Sequence, residues 1–476
     1  MFLTNLPLHE FCDNLHYEKF ADGSVKCIED EIPFELPEEW EWCRLNTLLA
    51  LFITGPFGSS LHKSDYISNG VPLINPMNII DGKVIPIDKM QVSLETVNRL
   101  ASFKVLPNDI VIARRGDMGR CAVIQTSQRG WLCGTGSFVL RLLPDLCSEY
   151  FAVCLRSPRS VEYLSDNSIG NTMLNLNQTI LKNILLPIPP CAEQWRIIEC
   201  ISAANIQLTK IAALKTELSS DVTNAKSKLL DLAIRGKLVP QDPNDEPASI
   251  LLERIRAEKE ELIKQGKIKR DKKESVIFKG EDNSYYEKIG NVVKNIDDEL
   301  PFETPDNWIW CRGSSCFAGM ASQKPQGIFF DYIDIDSIDN KNHRINEPKH
   351  LSVSEAPSRA NRAVQYGSVL FSMVRPYLEN VAFVEDCYAH CIASTGFYVC
   401  NSTGVLYPEF MFFLMISGYV VNGLNQYMKG DNSPSISKDN IENWLYPIPP
   451  FEEQKYICHK LKATFAMFKS LDAMLS

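Results

Sequence analysis

One nineteen-residue boundary occurs twice in this chain. Residues 26–44 read KCIEDEIPFELPEEWEWCR and residues 294–312 read KNIDDELPFETPDNWIWCR, identical at twelve of nineteen positions with an offset of 268. A second pair, PIPPCAEQWRI at 187–197 and PIPPFEEQKYI at 447–457, is identical at seven of eleven with an offset of 260. Between them Thr135-Gly136 matches Thr395-Gly396, Gly170 matches Gly430, and little else aligns. Self-similarity at a fixed offset limits the architectures open to a chain more than its composition does. Shared boundaries around divergent interiors predict two modules built on one frame.

Each module reads the same way. After Trp-x-Trp-Cys-Arg come short β-type runs at 71–80, 109–113, 121–125 and 138–143 in the first, and at 332–338, 368–372, 381–384 and 397–400 in the second. One helix-like segment follows, 148–165 or 408–428, and an extended PIPP run closes the module, since residues before proline leave the helical region. The fold class is α+β, with two modules of about 150 residues each, an ordinary domain size.

After the first PIPP, Glu193 sits in a helical first turn and apolar residues recur at spacings of four and three for about five heptads. Ile197, Ile201, Leu208, Ile211, Leu218 and Leu229 belong to that stripe; Ile457, Leu461 and Phe465 begin a shorter one after the second PIPP. A helix over 192–236 would be roughly 65 Å long at 1.5 Å per residue. The two stripes predict long helices that join the modules and pair as an antiparallel coiled coil. The mixed-charge helix that follows reads first as a solvated face; its alternatives are a docking arm or a source of phosphate contacts through Lys267, Lys269, Arg270, Lys272 and Lys273.

The chain carries a net charge of −10, but no segment is a basic tail; 33–190 is neutral, 191–296 is +2 and 297–450 is −8. Strong non-specific binding to nucleic acid by the chain alone is not expected. Residues 1–11 lack the basic and apolar regions of a signal peptide, and the apolar stretch 410–421 is too short to span a bilayer, so a soluble, cytoplasmic protein with no membrane association is expected. Fifteen scattered cysteines fit a reducing compartment. Cys387-Tyr-Ala-His390-Cys391 is the nearest approach to a metal motif, but no second ligand pair follows, and no metal site is expected.

No catalytic set has weight. An Asn/Asp-Pro-Pro-aromatic loop for a flipped base is missing, Asn75-Pro-Met-Asn being a poor match, and so is a Gly-x-x-x-x-Gly-Lys-Ser/Thr phosphate cradle. Asp306, Glu347 and Lys349 form no recognisable nuclease spacing, and Arg115-Gly-Asp117 reads as a tight turn.

The duplicated LPEEWEW and TPDNWIW openings, the two PIPP-x-x-EQ junctions and LLDLAIRGKLVPQDPNDEPASILLERIRAEKE at 229–259 together make the chain resemble the specificity subunits of type I restriction–modification systems, over almost its whole length. The resemblance implies a non-catalytic DNA reader. Two target-recognition domains, 33–190 and 297–450, each read half of an interrupted asymmetric sequence. The 1–32 segment precedes them, 191–296 is a spacer and charged arm, and 451–476 is the terminal spacer helix. It further implies double-stranded DNA, two modification (methyltransferase) subunits and restriction/translocase subunits as partners. S-adenosylmethionine, ATP and Mg would belong to those partners, with no cofactor on this chain. One departure is that 229–273 has no counterpart before the first module. The rival is a coiled-coil scaffold that does not bind DNA, which the acidic second module would suit.

Base readout needs Arg or Lys for guanine and Asn or Gln for adenine. In the first module the candidates are Ser59, Ser60 and Lys63 in a glycine-punctuated loop, then Lys104, Arg114, Arg115 and Arg120 beside predicted strands. In the second they are Gln323, Lys324, Gln326, Arg375, Tyr377, Lys429 and Asn432. Trp40, Trp42, Trp308 and Trp310 lie in the repeated frame, which assigns them to anchoring rather than base stacking.

Overall fold

The computed structural model describes residues 15–20, 22–57, 60–168, 175–266 and 275–475. The chain divides into two compact units, Met1–Ile211 and Ala212–Ser476.

In the first unit, strands Cys121–Val123, Ile110–Ala113, Ser137–Leu142 and Leu49–Thr54 form a four-stranded sheet in that order. Alternation buries it on both faces: Ile110 and Ile112 join Phe151 and Leu155 of the helix Ser148–Arg156, while Val111 and Val139 join Ile74 and Cys133. A second sheet contains Leu132–Cys133 paired in parallel with Val71–Ile74. The second unit repeats the pattern. Val369 and Phe371 face one core and Leu370 the other, and Ile392–Ser394 pairs in parallel with Phe329–Ile333.

In both modules the opening strand pairs with the closing one. Glu41–Arg44 runs antiparallel to Leu185–Ile188, and Ile309–Arg312 to Leu445–Ile448, with Trp42 opposite Pro187 and Trp310 opposite Pro447. The repeated sequences are therefore the two halves of one clasp, closed around an interior of different sequence.

The single helix-like segments of the sequence reading are each two helices. Ser148–Arg156 is followed by Pro158–Asp166, and Pro408–Met415 by Gly418–Asn425. Pro158 cannot donate to the preceding turn and holds Ser157 extended, while Ser157 and Ser417 cap the second helices by accepting from Ser160 N and Val420 N. The run at 71–80 is likewise broken by a 3-10 turn at Pro76–Asn78.

One helix spans Cys191–Ile234, close to the expected range. It ends at Gly236, whose φ of +67° and the Lys237 N–H to Leu232 carbonyl bond of 2.9 Å make a left-handed cap; a Cβ there would lie 2.4 Å from Pro305. Within the second unit Leu230, Ala233 and Ile234 share a core with Ile457, Cys458 and Leu461 of the helix Phe451–Leu475; Leu229 and Phe465 pack at its edge. Lys226 pairs with Asp472 at 3.2 Å, so the two helices run antiparallel there. At the other end Ile197 and Ile198 pack on the first unit's core, and Ile201 is half-buried. The middle of the stripe departs from expectation: Leu208, Ile211 and Leu218 are 63%, 60% and 38% exposed. The described contacts between the helix Phe451–Leu475 and the long helix fall on the 226–234 end of the latter.

The mixed-charge helix, Ala248–Lys264, is more than a solvated face. Ala248, Leu251 and Leu252 are buried, and Leu252 joins the second unit's core. Lys267, Lys269, Arg270, Lys272 and Lys273 lie outside the described residues.

Candidate nucleic-acid interface

The clasp carries the same polar locks in both units. Arg44 donates to Glu18, Glu31 and the Asn183 carbonyl, the last two at 2.7 Å. Arg312 donates to Glu287, Glu299 and the Asn443 carbonyl at 2.8, 2.6 and 2.9 Å. Both arginines hold their proton more tightly than usual: burial opposes this, but two carboxylates outweigh it. The Trp40 indole donates to Glu193 at 3.3 Å and that of Trp308 to Glu453 at 2.9 Å. Gln194 accepts from Cys147 N and donates to the Pro189 carbonyl; Gln454 accepts from Tyr407 N and donates to the Pro449 carbonyl. These bonds explain why Trp, Arg, Glu and Gln recur in the boundaries, and they make Trp40 and Trp308 anchors. Sequence reasoning missed Glu18 and Glu287, which sit on hairpins outside the matching motifs.

Held by this frame, each module projects a turn after its central strand. In the first unit the turn joins Ile110–Ala113 to Cys121–Val123, closed by Ala113 N to the Arg120 carbonyl at 2.8 Å. It brings Arg114, Arg115 and Arg120 together. Arg114 lies 5.7 Å from the Phe138 ring, exposed Arg115 donates to Asn175 at 2.8 Å, and Arg120 pairs with Asp117 and donates to the Pro76 carbonyl. In the second unit the turn is closed by Ser372 N to the Asn380 carbonyl, and it holds Arg375 and Tyr377.

The backbone bonds make the two turns equivalent. Arg114 N donates to the Gly136 carbonyl, and Leu176 N to the Arg114 carbonyl; Met373 N donates to the Gly396 carbonyl, and Ile436 N to the Met373 carbonyl. Counting on two residues, Arg375 stands where the first unit has Gly116, and both are left-handed, at φ +48° and +86°. A side chain in that region is strained, and such strain clusters at functional sites. Arg375 N donates to the Pro434 carbonyl and its Nη2 to the Asn432 carbonyl, which fastens the segment bearing exposed Lys429 and Asn432 beside it. Arg375, Lys429 and Asn432, separate in sequence, thus form one cluster.

The other candidates are dispersed. The Ser60 carbonyl accepts from Arg99 Nη1 at 2.6 Å, and exposed Lys63 opens the next 3-10 turn. Gly55 in that loop is required by the chain itself, since a Cβ there would lie 1.8 Å from the Gly134 carbonyl oxygen. Half-buried Lys104 bridges to Leu132, and no described contact joins it to the arginine turn. Ser59 and Gly170 fall outside the described residues. Gln323, Lys324 and Gln326 line an open recess with Phe329, Asp331, His350 and His390. Asp306 pairs with Lys279, and Lys349 with Asp334, so the nuclease-like set is not assembled.

Residues 37–219 match the family model described as the type I restriction modification DNA specificity domain. The EcoAI specificity subunit of Escherichia coli is 24% identical over 491 residues, covering 91% of this chain and 78% of its own. The EcoKI specificity subunit of Escherichia coli strain K12 is 28% identical over 456 residues, covering 93% and 85%. The chain is similar over most of its length to type I restriction–modification specificity subunits. A chain from a solved type I system shares the fold of this specificity subunit, with a TM-score of 0.57 at 17% identity over 93% of this chain and 94% of the other.

As a DNA specificity subunit the chain is itself non-catalytic, and cofactor chemistry lies outside its family role. This similarity also bears on the helix Cys191–Ile234. That helix is long and apolar enough to cross a membrane, with a mean hydropathy of 1.3 over an 18-residue window, a stretch the sequence reading passed over. In a specificity subunit it is the helix that joins the two modules and not a membrane span.

Proposed function

We propose that each unit reads one half of a bipartite, asymmetric DNA target through the loops held by its clasp. The observation that carries this reading is the pair of identical polar locks enclosing interiors of different sequence. One frame with two divergent sets of loops is what two unrelated half-sites require. The recognition domains are assigned to 33–190 and 297–450, flanked by 1–32, the spacer and arm 191–296, and 451–476. Arg115 and Arg375 are the foremost candidates for DNA contact; Ser60, Lys63, Arg114, Arg120, Gln323, Lys324, Gln326, Tyr377, Lys429 and Asn432 are supporting ones, Lys104 is peripheral, and Ser59 stays a candidate on its sequence alone.

In this reading two modification (methyltransferase) subunits dock on the helices, and restriction/translocase subunits join that core in the cytoplasm. S-adenosylmethionine, ATP and Mg act on those subunits. The exposed apolar positions Leu208, Ile211, Leu214 and Leu218 support helix docking, since an uncovered apolar stripe on a helix seeks a partner. The net charge of −10 supports a division of labour in which partner subunits supply much of the phosphate contact.

The test is long-read methylation mapping in a host without other methyltransferases, expressing the chain with its cognate modification subunit. Modification of a new motif with two defined halves around an unspecified gap is the expected result. A stable complex that modifies nothing would instead favour a scaffold that does not read DNA.

A further inference from the structure

The recess beside Gln323, Lys324 and Gln326 ends on a set of side chains that the sequence scatters. Asp331 lies on strand Phe329–Ile333, directly opposite His350 on the antiparallel strand Lys349–Ser352. On its other edge the same strand pairs in parallel with Ile392–Ser394, Tyr332 facing Ile392. That pairing brings in His390 and Cys391, which immediately precede the strand. Asp331 Oδ1 lies 2.8 Å from His350 Nδ1, and Asp331 Oδ2 lies 2.7 Å from His390 Nε2. The Cys391 sulfur is 3.9 Å from His390 Nε2, and ligand atoms of Asp331, His390 and Cys391 all lie within 4.8 Å of one another.

We propose that Asp331, His390 and Cys391 bind one thiophilic divalent cation of the zinc class. Sulfur, imidazole and carboxylate together are the zinc donor set, and tetrahedral zinc with bonds of about 2.0–2.3 Å separates its ligand atoms by roughly 3.3–3.7 Å. The sulfur–nitrogen pair nearly meets that spacing as it stands. The carboxylate needs to withdraw from His390 by less than about 1 Å for the cation to enter, on the same bond lengths. Cys391 is 1% exposed, whereas the side chains of His390 and His350 are 61% and 67% exposed, so the sulfur forms the floor and the imidazoles the open side. On binding, the Cys391 thiol releases its proton to solvent as the metal–sulfur bond forms. The thiolate and the Asp331 carboxylate then neutralise the dication.

His350 is a positioning residue in this arrangement. Its Nδ1 faces the Asp331 oxygen directed away from His390, as the outer partner of a ligating carboxylate does. The fourth coordination position is left to water in the recess or to a rotated His350. Bound there, the cation cross-links segments 329–333 and 390–394 beneath the Gln323–Gln326 loop and stiffens one wall of the recess. Among the described residues the first unit has no such site. Its equivalent parallel pair sets Leu73 against Leu132, which puts Pro72, Gly130 and Trp131 at the ligand positions. The site thus belongs to the divergent interior of one module and does not depend on the proposed reading of half-sites.

The full chain, loaded with cobalt(II) or zinc(II) chloride and dialysed against metal-free buffer, should retain one equivalent of metal. The cobalt form should show a thiolate-to-cobalt charge-transfer band in the near ultraviolet. His390→Ala, on an exposed side chain that leaves the core intact, should lose both the equivalent and the band, as should Cys391→Ala. His350→Ala should weaken binding about 10–100-fold. Cys387→Ala should keep both signals. Failure of the wild type to retain metal, or a charge-transfer band that survives both His390→Ala and Cys391→Ala, would overturn the assignment.

Discussion

The indole N–H of Trp308 donates to the Glu453 carboxylate at 2.9 Å, joining the opening motif of the second module to the helix that follows its closing PIPP. Both residues are buried, at 4% and 3% exposure. The matching bond in the first unit, Trp40 to Glu193, is longer at 3.3 Å and its carboxylate is half-buried. Trp308→Phe should therefore destabilise the second unit by about 1–3 kcal/mol, the cost of a buried polar group left without its donor. Trp40→Phe should cost the first unit less. Urea unfolding followed by hydrogen exchange in each unit separates the two. Burial pushes the Glu453 carboxyl above the usual glutamate range, with the Trp308 and Gln241 hydrogen bonds opposing. It is thus protonated before an unfolded glutamate as pH falls, and the Trp308→Phe penalty should shrink as the charge on the acceptor is lost.

Arg312 and Glu287 are a mostly buried pair, with side chains 16% and 8% exposed. Arg312→Met alone strands a buried carboxylate and should cost about 3–5 kcal/mol, whereas Arg312→Met with Glu287→Met should recover most of that loss. A double-mutant cycle by chemical denaturation measures the coupling.

The same lock sets an acid limit. For Glu287 burial pushes the carboxyl up, but the hydrogen bonds and charge of Arg312 prevail and hold it below the ordinary 4.5. Glu299 is lowered too, first by Lys294 and, against burial, by Arg312. A group whose folded value is depressed contributes stability above its unfolded value and loses it as pH falls through the folded one. Stability of the second unit should decline from about pH 4.5 downward. The Arg312→Met, Glu287→Met double variant should decline less steeply over that range, which thermal melts at stepped pH would reveal.

Arg375 holds a left-handed φ of +48° where the first unit places Gly116. Arg375→Gly should therefore leave the fold intact or stabilise it by about 1 kcal/mol, the relief of left-handed strain. The same change should weaken DNA binding by the assembled complex and relax one half of the modified motif only. Unchanged affinity and an unchanged motif in methylation mapping would remove Arg375 from the interface. Replacing Lys63, Arg114 and Arg375 together by alanine should abolish binding.

Leu208 and Ile211 are exposed on the long helix, so Leu208→Asp with Ile211→Asp should leave the melting temperature of the isolated chain within a degree or two, as surface substitutions do. Co-purification of the modification subunit should be lost. Retention of that subunit would move the docking surface elsewhere.

The repeated KxIxDE-to-WCR and PIPP-x-x-EQ motifs pointed to two modules, the short β-type runs and helix-like segments to their α+β character, and the heptad stripe to the long helix, because local periodicity and repetition are written along the chain. The closing of each clasp was not legible: Arg312 meets Glu287 on a hairpin and Asn443 far downstream, and nothing in linear spacing pairs them. Nor did the heptad stripe reveal that Leu208 and Ile211 lie uncovered, since periodicity specifies a face to be buried but not the length of what buries it. Asp331 is 59 residues from His390, and only the parallel pairing of their strands joins a carboxylate to an imidazole and a thiol. Sequence by itself determined which segments are alike and what each prefers locally. Tertiary structure decided which polar groups meet, because hydrogen bonds and donor sets act over about 3 Å of space, whatever the distance along the chain.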